Sequence, residues 1–192
     1  MKGNMVMNTR LLGTLCMIGG LAYVVSAIYA SITGLENSPT EILLGLAWAA
    51  GAICGWLGFI LIRGTGYNIA VRFLSFIPIV GLTLVFILGL YALFTGVDPS
   101  DLQLIGVGLV IELTGIVLNT IFAIATRALS GWRKFAPLAV LSGVVLGGVL
   151  TALSQGAING IPLCLGIAYG VLGYAVQTAV FDPQPLIQPA RG

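Results

Sequence analysis

Glu112 is the charged residue whose place in the chain most limits what it can do. It is the eleventh residue of the apolar run 102–124, and at about 1.5 Å per helical residue it falls about 15 Å into a hydrocarbon layer of about 30 Å. An ionisable side chain at that depth costs about 2.5–3.5 kcal/mol to insert, so it is expected to face a bundle interior and to mark a pathway or binding site. Gly108, Gly115 and Asn119 share its helical stripe and give that face a small, polar character. No Lys, Arg or His lies in any of the chain's apolar runs. A carboxyl taken out of water with no cation beside it is expected to be held neutral and protonated. Thr83, Tyr23 and Tyr174 supply hydroxyls at comparable depth and are its expected hydrogen-bond partners. Glu112, Asn119, Thr83, Tyr23 and Tyr174 are therefore the candidate substrate-binding or proton-binding residues. Two roles fit them: exchange of a proton or pairing with a cationic substrate, and a neutral acid bonded across helices for structure alone.

Other chemistries are narrowed by what the sequence lacks. It contains no histidine, so there is no His-ligated haem, no HExxH zinc site and no Ser-His or Cys-His pair. Cys16, Cys54 and Cys164 fall in different apolar runs without CxxC or ligand spacing and are expected to pack as small apolar residues. No P-loop is present, so ATP energy would have to come through a partner. The carboxylates Glu36, Glu41, Asp98 and Asp101 are expected to neutralise helix N-terminal dipoles rather than to hold a metal, for which two pairs supply too few oxygens. Neither a cofactor nor an enzymatic reaction is expected.

The elements that must position Glu112 are legible from composition. At 58% hydrophobic and 7% charged residues, with mean hydropathy +1.09, the surface is far more apolar than that of a soluble domain. The runs 11–32, 41–62, 73–95, 102–124, 135–155 and 161–181 each meet the requirement of about 20 apolar residues per span. This predicts an all-α integral membrane protein, a six-helix bundle in one membrane domain over 1–181, with a Pro-rich flexible tail over 182–192. Thirteen of the fourteen charges lie outside the runs or at a run's first residue, and the sign alternates: Lys2 and Arg10, then Glu36 and Glu41, then Arg63 and Arg72, then Asp98 and Asp101, then Arg127, Arg133 and Lys134, with Asp182 and Arg191 in the tail. By the positive-inside rule both termini are expected in the cytoplasm, with the protein in the plasma (inner) membrane. The scattered cations, at net charge +2, meet lipid headgroups and suggest no nucleic-acid role. The first run is too long for a signal-peptide core and is expected to be retained.

Local patterns refine these boundaries. Ser38-Pro39-Thr40-Glu41 reads as a cap followed by a first-turn proline, Asp98-Pro99-Ser100-Asp101 repeats it, and Asn159-Gly160-Ile161-Pro162 is a looser version. Pro78 is expected to kink the third span or leave its first turn ragged. Gly51 and Gly55, Gly143 and Gly147, and Gly166 and Gly170 form GxxxG pairs for close helix packing or for a partner face. Trp132, Tyr67, Tyr29, Tyr91 and Phe94 are placed as interfacial anchors, while Trp48 and Trp56 share a deeper face of the second span. At an offset of 62 residues Arg10 meets Arg72, Gly19 meets Gly81, Tyr29-Ala30 meets Tyr91-Ala92 and Thr33-Gly34 meets Thr95-Gly96; a second shift reaches Lys134 and Gly143. That repeat predicts three similarly oriented antiparallel hairpins.

In architecture alone, six spans with both termini inside resembles the substrate-capture subunits of energy-coupling-factor vitamin transporters. The stripe Ala22, Ser26 and Ala30 is similar in type to their docking stripe, and no substrate-site motif carries over. The leading expectation is a non-enzymatic membrane protein that binds or conducts a small solute or proton with Glu112 at its centre. The alternative is an accessory or structural subunit of a larger membrane complex, or a homo-oligomer, packed through a GxxxG face.

Overall fold

The computed structural model describes residues 2–34, 38–62, 68–98, 101–126 and 129–179, with side chains from residue 8 onward. Its secondary structure is helical, and six helices are long and apolar enough to cross a membrane. The chain is a multi-pass membrane protein. In order, the helices are α1 (Lys2–Thr33), α2 (Pro39–Leu61), α3 (Ile69–Leu74), α4 (Ile77–Thr95), α5 (Gln103–Thr126), α6 (Ala136–Leu153) and α7 (Gly160–Ala179), with a 3₁₀ turn at Gly131–Phe135 before α6. In hydrocarbon a backbone amide has no water to bond, and a continuous helix satisfies its own polar groups, which is why runs of this composition take this form.

The third span is the one that is not continuous. Pro78 has no amide hydrogen to donate and its ring crowds the preceding turn. The helix accordingly breaks at Ser75 and Phe76 and restarts at Ile77, with the proline in the first turn of α4. Ser75 closes the end of α3, its backbone amide and its hydroxyl both donating to the Val71 carbonyl, at 3.0 and 2.9 Å.

The helices form a closed ring, in which α1 packs on α2, α2 on α4, α4 on α5, α5 on α6, α6 on α7, and α7 back on α1. The α5–α6 seam is the loosest. Glycines set the close approaches, since helices in lipid associate by packing rather than by a hydrophobic drive. Gly19 meets Gly51 across α1 and α2, where a β-carbon on either would come within 2.8 Å of the other's α-carbon. Gly13 meets Gly173 and Gly20 meets Gly166 across α1 and α7, Gly81 meets Gly108 and the Glu112 backbone across α4 and α5, and Gly143 meets Cys164 and Ala168 across α6 and α7. The outward faces carry large apolar side chains, such as Leu11, Ile18, Leu21, Val25, Ile28 and Ile32 on α1. Their spacing of three, four and seven residues makes one stripe that meets lipid.

Turn chemistry places the helix ends. Ser38 accepts a hydrogen bond from the Glu41 amide at 3.2 Å, with Pro39 at the first helical position, as the cap pattern predicts. Gly34 and Gly96 both adopt left-handed backbone, φ +63° and +70°, and their amides close on Ala30 and Ala92 at 2.9 Å. Thr33 and Thr95 donate to Tyr29 and Tyr91, each at 2.8 Å, so those pairs of the 62-residue repeat have matching local structure. At α7 the first-turn amide of Gly160 is capped from another helix, by the Thr151 hydroxyl of α6 at 2.9 Å. Glu36, Arg63, Tyr67, Pro99, Ser100, Arg127 and the 182–192 tail lie outside the described residues.

Candidate functional site: a carboxyl beside a membrane-buried chamber

Glu112 is the tenth of α5's 24 residues and is 3% exposed. Gly81 lets α4 come against its backbone, where a β-carbon would stand 2.5 Å from the Glu112 amide nitrogen. Gly108, Gly115 and Asn119 are buried on the same side of α5, so the small, polar stripe faces inward.

The carboxyl's partner comes from α7. Tyr169, fully buried, donates its hydroxyl to Glu112 Oε1 at 2.6 Å, and its hydroxyl oxygen accepts from Trp56 Nε1 of α2 at 3.2 Å. An indole nitrogen can only donate. The phenol therefore accepts from Trp56, and its own proton goes to Glu112 in this structure, so the chain runs from Trp56 through Tyr169 to the carboxyl. A proton carried by Glu112 would then reside on Oε2. Cys16 Sγ of α1 donates to the Tyr169 carbonyl at 3.2 Å, so three helices hold this tyrosine in place.

Aromatic rings extend the cluster. Tyr23 of α1 stacks on Trp48 of α2, ring centroids 4.2 Å apart and planes 14° apart. Trp48 meets Tyr169 edge to face at 5.9 Å. Beside these rings lies an inner chamber of about 250 Å³, half open on the side of the exposed Leu109, Val110, Leu113 and Ile161, whose walls also include Tyr23, Trp48, Glu112, Ile116, Val144 and Leu165. A second recess of about 250 Å³ lies nearer the acidic helix ends, with Ser26, Glu41 and Asn159 among its walls. Tyr23, Trp48 and Leu109 border both, so the stacked pair stands at the boundary between them.

The candidate residues named from the sequence are not all brought together. Tyr23 lines both chambers but makes no hydrogen bond to Glu112. Thr83 is exposed and donates to the Ile79 carbonyl of its own helix at 2.7 Å, the local option open to a helical threonine. Tyr174 is half exposed and stacks on Trp132, 5.9 Å between centroids. Asn119 is buried seven residues along α5 from Glu112, where Nδ2 donates to the Gly115 carbonyl at 2.8 Å and Oδ1 has no partner among the described residues. The expected hydroxyl partners are thus replaced by Tyr169. Nothing in its type marked it out, although it lies at nearly the same depth in its span as Glu112. Of the GxxxG glycines, Gly51 and Gly55 meet α1, Gly143 and Gly147 meet α7, and Gly166 meets α1, while Gly170 has open space where a side chain would lie.

No protein-family model matches the chain, and no curated protein or solved structure is significantly similar to it.

Proposed function

We propose that this membrane protein binds a small solute, or exchanges a proton, in the inner chamber, with Glu112 as the central polar group. One observation carries the reading: Glu112, buried and held through Oε1 by Tyr169, is among the residues that line the inner chamber. Tyr169 engages one carboxyl oxygen, which leaves Oε2 for a proton or a ligand. Three similarly oriented hairpins, with both termini cytoplasmic in the plasma membrane, are the arrangement that the alternating charges and the positive-inside rule support. The accessory-subunit reading is weaker, because five of the six GxxxG glycines are engaged within the chain.

Glu112→Gln keeps the side chain's size and removes its charge and proton affinity. The variant is expected to express at the level of the parent and to lose the bound small molecule in native mass spectrometry of gently solubilised protein, or the flux in proteoliposomes. A variant that retains both, while a stoichiometric protein partner co-purifies, would establish the accessory role instead.

A further inference from the structure

Building on that reading, we infer that the inner chamber takes an amphiphilic organic cation. Charge sets the first part of this class. Glu112 borders the inner chamber and no Lys or Arg lines it, so a cation that takes the place of the acid's proton pairs with the carboxylate in a low-dielectric setting. The π faces of Tyr23 and Trp48 favour a cation in addition, an attraction that strengthens when the site is dry.

The walls set the second part. Ile116, Val144 and Leu165 leave no polar contact for much of the inner surface, so the ligand must be apolar over most of its body. Val110 and Leu113 border the same chamber and are also exposed on α5, beside the loose α5–α6 seam. A molecule dissolved in the bilayer therefore has an apolar approach to Glu112.

The ligand is thus read as an onium or ammonium group toward Glu112 and an apolar body along Ile116, Val144 and Leu165.

The test uses the full chain in lipid nanodiscs and two probes of equal shape. Choline phenyl ether has a permanent cation and an ether oxygen, and 3,3-dimethylbutyl phenyl ether replaces its nitrogen by carbon. Saturable binding of radiolabelled choline phenyl ether is expected, with the neutral ether competing at least tenfold more weakly. Glu112→Gln should weaken the cation at least tenfold and leave the neutral ether unchanged. Equal binding of the two ethers to the unmodified chain overturns the cation class without needing any variant to fold. Absence of binding by the cation also overturns it; if native mass spectrometry still finds a small molecule that depends on Glu112, solute binding stands and only the ligand class falls.

Discussion

At the scale of single residues, the Tyr169 hydroxyl is the hinge between a buried acid and a buried indole. Tyr169→Phe deletes one atom and strands both Glu112 Oε1 and Trp56 Nε1, and each unsatisfied buried group costs about 1–3 kcal/mol. A lowered thermal unfolding midpoint in detergent is expected for Tyr169→Phe, and a smaller drop for Trp56→Phe, which leaves the bond to Glu112 intact. A midpoint unchanged in both variants would show that the chain is not held in the folded state. Glu112 is legible in the sequence because a charge inside an apolar run has few explanations. Tyr169 is not, since a tyrosine in a span is compatible with lipid, interface or core, and its partner lies 57 residues away.

Among the elements, glycine positions differ sharply in what they tolerate. A methyl group on Gly81 would meet the Glu112 backbone and the Gly108 carbonyl, whereas one on Gly170 would meet nothing within 4 Å. Gly81→Ala is therefore expected to cost about 1–3 kcal/mol through overpacking and to shift α5, while Gly170→Ala stays within experimental error of the parent; differential scanning of both variants checks this. Thr151→Val removes the hydroxyl that caps α7 from α6, with an expected loss of about 0.5–2 kcal/mol. Hydropathy and turn residues locate the spans to within a few residues, because lipid imposes length and the helix ends need partners. The break ahead of Pro78 has a sequence signal as well. The Thr151 cap has none, since the donor and the acceptor belong to different helices and the spacing carries no local pattern. Ring order is likewise hidden, because small residues mark faces without saying which face meets which.

For the whole molecule, the described charges sort by end. Arg10, Arg72, Arg133 and Lys134 lie at one end of the bundle, and Glu41, Asp98 and Asp101 at the other. A membrane-impermeant maleimide applied to intact cells is expected to label Asp101→Cys above the background of the unsubstituted chain and to leave Arg72→Cys unlabelled; the reverse pattern would invert the proposed orientation.

The closure of the ring by α1 and α7 bears on how the protein is made. Of the six spans α1 leaves the ribosome first and α7 last, yet each is the other's most extensive neighbour. Gly13 and Gly20 are thus synthesised before their glycine counterparts on α7, and Glu112 before the tyrosine that bonds it. The contacts that close the ring, and the bond to the acid, therefore become possible only once α7 has been made.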